Sequence, residues 1–104
     1  MFARSVSIHL KSSMLSDYTR TFENDTLPLL RQQKGFKDEI TLSNPGSLDV
    51  IAISLWESKA NAETYNTNTY PQVLRTLERM IDGAPKVQTF EAVTSTFHKL
   101  AVAA

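Results

Sequence analysis

The sequence predicts an α+β domain in which four strands and two helical stretches follow the order β-α-β-β-α-β, and three observations carry this. Residues 4–10, Arg-Ser-Val-Ser-Ile-His-Leu, alternate with the period of a strand. Met14, Tyr18 and Phe22, joined by Leu15, Leu29 and Leu30, recur at helical spacing through about residue 33. The stretch Ser47–Pro71 then holds the best strand, the single tryptophan and the start of a second helix.

Each element can be justified in turn. The first strand points Val6, Ile8 and Leu10 to one side and Ser5, Ser7 and His9 to the other. Ser12 and Ser13 are placed to cap the following helix by accepting its first free amides. Pro28 lacks an amide donor and crowds the preceding turn, so it is expected to bend or restart that helix. Arg31, Lys34 and Gly35 suit its end, with cations near the negative pole and a glycine able to turn left-handed.

Phe36–Ser43 reads as a second strand with Phe36, Ile40 and Leu42 in phase and Lys37, Glu39, Thr41 and Ser43 opposite. Asn44-Pro45-Gly46 is a turn signal, because proline presets one backbone angle and glycine supplies a positive one, so strands two and three form a hairpin. In strand three, Ile51, Ile53 and Leu55 point one way and Val50, Ala52, Ser54 and Trp56 the other. Neither row is charged, which predicts a central strand. Ser58 can cap a helix over Lys59–Tyr65, and Asn66-Thr67-Asn68-Thr69 interrupts it. Pro71 suits the first turn of a further segment with Val73, Leu74, Leu77, Met80 and Ile81 as its apolar stripe, ended by Asp82-Gly83-Ala84-Pro85. Residues 86–98 are rich in β-branched and aromatic side chains and predict a long last strand.

Bulk properties exclude several classes. At 104 residues the chain reads as one domain over residues 1–104. Lys plus Arg and Asp plus Glu number 11 each, so no long-range field would hold nucleic acid or an anionic membrane. The absence of cysteine removes disulfides, thiolate metal sites and cysteine nucleophiles. No apolar run approaches the roughly 20 residues of a membrane-spanning helix, and the N-terminus alternates, so a cytoplasmic protein is expected.

This element order is the split-βαβ, ferredoxin-like pattern, with an antiparallel four-stranded sheet of order 4-1-3-2 and helices on one face. The opposite face is then read as Ser5, Ser7, His9, Thr41, Val50, Ala52, Ser54 and Trp56. Small hydroxyls with an aromatic, where a face meant for water would carry Lys and Glu, predict a homodimer through sheet faces or a cavity.

Gly35-Phe36 after a long helix, the strand end Ile51–Trp56-Glu57-Ser58, and the helix with Tyr70-Pro71 and Leu74 resemble the antibiotic biosynthesis monooxygenase-like domain, over nearly the whole chain. The resemblance implies a dimeric α/β barrel, with exchange of the C-terminal strand as one form it can take. It also implies a cofactor-independent monooxygenase acting on a small aromatic or quinol-type molecule. In that chemistry the substrate itself reduces oxygen, and the protein supplies deprotonation, orientation and a dry pocket. A non-catalytic small-molecule-binding or stress-response dimer, or an isomerase of the same superfamily, is the alternative, since fold alone does not choose.

Taking strands one and three as parallel neighbours brings His9 and Trp56 to one end of the sheet, with Ser7 and Ser54 behind them. His9 is then the candidate catalytic base, and Ser7, Ser54 and Trp56 are candidate substrate contacts. Asn61 and Tyr65, on the following helix, would close the opening. Each has an ordinary reading beside it: a solvated strand-end histidine, a tryptophan packed in an interface, tyrosines packed at a broken helix. His98 falls away from His9, and no glycine-rich phosphate loop or ligand cluster occurs, so no cofactor and no metal are expected. The heme-degrading branch of the resembled family is disfavoured. Its asparagine on strand one is replaced by Ser7 and His9, its helix tryptophan by Tyr65, and its heme-ligating histidine falls near Leu74-Arg75.

Overall fold

In the computed structural model, which describes residues 1–100, strand β1 (Phe2–His9) leads into helix α1 (Leu15–Thr21), a π-helical turn (Phe22–Thr26) and helix α2 (Leu27–Arg31). Strands β2 (Phe36–Ser43) and β3 (Asp49–Trp56) form the hairpin. Helices α3 (Lys59–Asn68) and α4 (Tyr70–Leu77), a 3-10 turn (Glu78–Met80) and strand β4 (Lys86–Glu91) follow. The sheet has the order β2-β3-β1-β4, which is the predicted 4-1-3-2 read from the other edge.

Every pairing is antiparallel, and this corrects the expectation that β1 and β3 run parallel. A helical crossover returns β2 to the direction of β1, and the tight hairpin then reverses β3 against both. Phe2 therefore sits opposite Trp56, and His9 opposite Asp49. His9 and Trp56 lie at opposite ends of the pair, roughly 24 Å apart along the strand.

The faces of β3 are also the reverse of those predicted. Directly paired residues share a face, and the register sets Arg4 against Ser54, Val6 against Ala52 and Ile8 against Val50. Val50, Ala52, Ser54 and Trp56 thus face the helices with Val6, Ile8 and Leu10, while Ile51, Ile53 and Leu55 share the open face with Ser5 and Ser7. In β2 an irregularity between Phe36 and Asp38 switches the phase. Phe36 packs edge-on against Trp56, with ring centroids 5.6 Å apart. Beyond the bulge Glu39 and Thr41 take the helix face, and Ile40 and Leu42 the open one.

The helices largely obey local chemistry. Pro28 does restart the first helix: it occupies the first turn of α2, directly after the wider π turn, which spares its ring the clash with a regular preceding turn. Ser58 caps α3, its Oγ accepting from the Asn61 amide at 3.2 Å. Ser12 and Ser13 do not cap α1; Ser13 is left-handed (φ 64°), and Met14 precedes the helix without a side-chain cap. The expected interruption at residues 66–69 shrinks to Thr69 alone, because α3 continues through Asn68. Strand β4 ends at Glu91, short of the predicted residue 98; beyond it Phe97 borders a hollow that Ile40, Ile53 and Leu55 also line, and the His98 ring bonds to Asp38.

The core lies between the sheet and the helices, centred on Trp56, Tyr18, Leu10 and Met80. The open face keeps exposed apolar side chains, with Leu42 at 47%, Ile51 at 39% and Phe90 at 51% exposure. No helix among the described residues is long and apolar enough to cross a membrane.

A candidate cavity between sheet and helices

A cavity of about 40 Å³ lies on the helix face of the sheet, with Arg4, Ser54 and Glu39 on its floor and Tyr18, Tyr65, Tyr70 and Leu74 on its helical wall. The floor residues form one cross-strand row. Arg4 on β1 pairs with Ser54 on β3, which pairs with Glu39 on β2, so the row spans roughly 10 Å at the usual strand spacing.

Arg4 is only 3% exposed. Its Nη2 donates to Asn66 Oδ1 at 2.8 Å, and its guanidinium carbon lies 4.1 Å from the centre of the Tyr70 ring and 5.4 Å from that of Tyr65. Burial lowers its pKa, an effect that Tyr65 and Tyr70 partly oppose. Among the described residues no carboxylate lies within salt-bridge distance of it. Ser54 Oγ accepts from Trp56 Nε1 at 2.8 Å, and Trp56, fully buried, packs on Tyr65 with centroids 5.1 Å apart.

Glu39 is half-buried. Burial raises its pKa, and the hydroxyl of Thr41, donating at 2.6 Å, partly offsets the rise. Tyr18 is pushed well above the ordinary phenol range, first by burial and then by Glu39, and its buried hydroxyl has no partner among the described residues. Tyr65 is pushed up to about 12, again chiefly by burial. The hydroxyl of Thr26, in the π turn, is likewise buried and unpartnered.

Of the residues singled out from the sequence, Ser54 and Tyr65 line this cavity and Trp56 braces both from behind. Ser7 lies on the opposite face, paired with Ile51. His9 is exposed at the far strand end, its Nδ1 2.8 Å from Asp49 Oδ1, and this bond, followed by the one from Ser47, lowers the Asp49 pKa. Asn61 works at the start of α3. Its Oδ1 accepts from Ser58 Oγ at 2.7 Å, and its side chain covers Gly35, which has φ 80°. A Cβ at position 35 would stand 2.8 Å from Asn61 Cβ and closer still to its amide. Gly35→Ala is therefore expected to destabilise the fold by about 2–4 kcal/mol, from backbone strain plus overpacking, as read by urea denaturation.

Arg4, Glu39 and Tyr18 are the site residues that sequence reasoning missed. Arg4 did leave a signal, because it falls in the same alternating row as Val6, Ile8 and Leu10 and so had to be buried with them. Glu39 left none, since the bulge that turns it inward has no mark in the sequence. Among the described residues no three His, Asp or Glu side chains gather as a metal site would require.

No family model matches the chain, and no curated protein matches it either. Solved structures do. The cofactor-independent oxygenase SnoaB from Streptomyces nogalater superposes with a TM-score of 0.76 at 11% identity, over 91% of this chain and 95% of that one. An antibiotic biosynthesis monooxygenase superposes at 0.72 with 11% identity, over 90% and 100%. A protein of unknown function from Nitrosomonas europaea superposes at 0.71 with 16% identity, over 98% and 95%. The chain thus has the ferredoxin-like α+β fold of the antibiotic biosynthesis monooxygenase-like proteins.

Proposed function

We propose that the protein is a cofactor-independent monooxygenase acting on a small phenolic or quinol-type molecule held in the cavity beneath its helices. One observation carries this reading: a buried, tyrosine-walled cavity whose floor offers a guanidinium, a hydroxyl and a carboxyl in a single row. The fold it shares with a cofactor-independent oxygenase supports the same choice. Aromatic walls suit a ring, and a carboxyl with a raised pKa suits a proton acceptor.

The chemistry balances without an added reductant. A quinol and one molecule of oxygen give a hydroxyquinone and one molecule of water, with every electron drawn from the substrate. Glu39 takes the phenolic proton, Ser54 and the tyrosines orient the ring, and the apolar wall keeps water from the reactive anion. At about 40 Å³ the cavity falls short of the roughly 300 Å³ at which small-molecule pockets begin, so binding requires α4 to swing outward. Its Tyr70, Val73, Leu74 and Leu77 form the movable wall, and the break at Thr69 supplies the hinge.

Oxygen uptake with a panel of hydroquinones tests the reading. Wild-type protein should consume oxygen above the rate of quinol autoxidation, and a chelator should leave that rate unchanged. His9→Ala should retain the activity, since His9 lies outside the cavity. Uptake no faster than autoxidation across the whole panel defeats the oxygenase assignment. Uptake lost in His9→Ala moves the chemistry to the open face.

We also propose that two protomers pair through their open sheet faces, because the exposed apolar side chains there, Leu42, Ile51 and Phe90 among them, are more than a solvated face carries. Native mass should report a dimer at micromolar concentration. Ile51→Lys, beside Leu42 on that face, should shift it to monomer without unfolding the chain. A wild-type monomer, or a dimer untouched by the substitution, rules this pairing out.

A further inference from the structure

We infer that the cavity takes its ligand as an oxyanion, a phenolate or enolate, and that Arg4 is the group that pairs with the negative oxygen. The inference rests on the functional reading above and specifies the form in which the substrate is held. Arg4 is 3% exposed, so its guanidinium is held largely away from water, and a buried charge is costly unless an opposite charge or a full set of acceptors replaces that water. Arg4 has neither. Asn66 accepts one hydrogen bond, the Tyr65 and Tyr70 rings lie against the guanidinium, and among the described residues no acidic group lies within salt-bridge distance.

Glu39 does not fill the role, since it sits two strands away and forms no ion pair with Arg4. Of the five guanidinium N–H groups one is given to Asn66, and among the described residues the rest meet only the two tyrosines, which leaves donors that an anionic oxygen takes best. Arg4 lines the cavity, so those donors are presented to whatever occupies it. Ser54 stands beside it on the floor as a second polar contact. A substrate entering as a neutral phenol would lose its proton toward Glu39 and leave the resulting oxyanion on Arg4.

4-Nitrophenol is a suitable probe, because it ionises near neutral pH, its phenolate absorbs visible light and its electron-poor ring does not react with oxygen. Quenching of Trp56, which packs on Tyr65 behind the cavity, reports occupancy. Bound to wild-type protein, the probe should titrate about 1–3 pH units below the free compound, a preference of tenfold or more for the phenolate. Arg4→Met should abolish that displacement without lowering the melting temperature, since it removes an unneutralised buried charge at similar volume. Arg4→Lys should retain part of it. A bound probe that titrates like free nitrophenol, no binding of either form, or an unchanged displacement in Arg4→Met overturns the inference. These readouts need no turnover: quinol oxidation without phenolate preference defeats the role of Arg4 alone, and phenolate binding without oxygen uptake defeats the oxygenase alone.

Discussion

Trp56→Ala is expected to lose about 3–5 kcal/mol of folding stability, a large share of the roughly 5–15 kcal/mol that a domain of this size possesses. Three contacts fail together. Trp56 is fully buried between Phe36 and Tyr65, so truncation opens a cavity at the centre of the core. Ser54 Oγ loses the indole donor, and Tyr65 loses the surface that holds it against the cavity. Urea unfolding followed by far-ultraviolet circular dichroism measures the loss, since the variant has no tryptophan fluorescence. Trp56→Phe should cost less, because an aromatic ring still fills part of the space, although the hydrogen bond and some packing volume are lost. The measurement also separates core from interface. A tryptophan on a dimer face would give a loss that shrinks as protein is diluted, because the wild-type chain then loses its partner as well, whereas a tryptophan under the helices gives the same loss at every concentration.

That distinction marks where the sequence stopped being legible. Element order, strand order, the restart at Pro28 and the cap at Ser58 were all readable, because each depends on local chemistry or on a period that one segment displays alone. The faces of β3 were not. Val50, Ala52, Ser54 and Trp56 form one uncharged row and Ile51, Ile53 and Leu55 another, and the first looks more polar although it is the buried one. Ser54 is tolerated inside because its hydroxyl accepts from Trp56, a bond that exists only in the folded chain. The direction of β3 relative to β1 was deducible, since hairpin and crossover together force it, and His9 and Trp56 separate once it is applied. The bulge between Phe36 and Asp38 was not, and with it the inward turn of Glu39 stayed hidden. The phase of β1 was correct, and following it one step back from Val6 would have buried Arg4.

Glu39→Gln should slow quinol-dependent oxygen uptake by about 10²–10⁴-fold, the usual contribution of a positioned base, while making the protein more stable at neutral pH. The two effects share one cause. Burial holds the Glu39 pKa above the ordinary carboxylate value, so between that value and the raised one the folded chain keeps a proton that the unfolded chain has released. Stability must then fall as pH rises through that window, and glutamine removes the fall because it carries no charge to bury. Activity runs the other way. Only ionised Glu39 can accept a proton, so uptake should rise with pH through the same window, and hydroquinone itself stays protonated throughout it. Urea midpoints and uptake rates measured over one pH series should therefore bend at a common pH in the wild type, and both bends should vanish in the variant. If the stability bend vanishes while the activity bend persists, Glu39 is a strained structural carboxyl and the proton goes elsewhere. If both persist, its burial has no energetic consequence, and the cavity floor has been assigned the wrong acid.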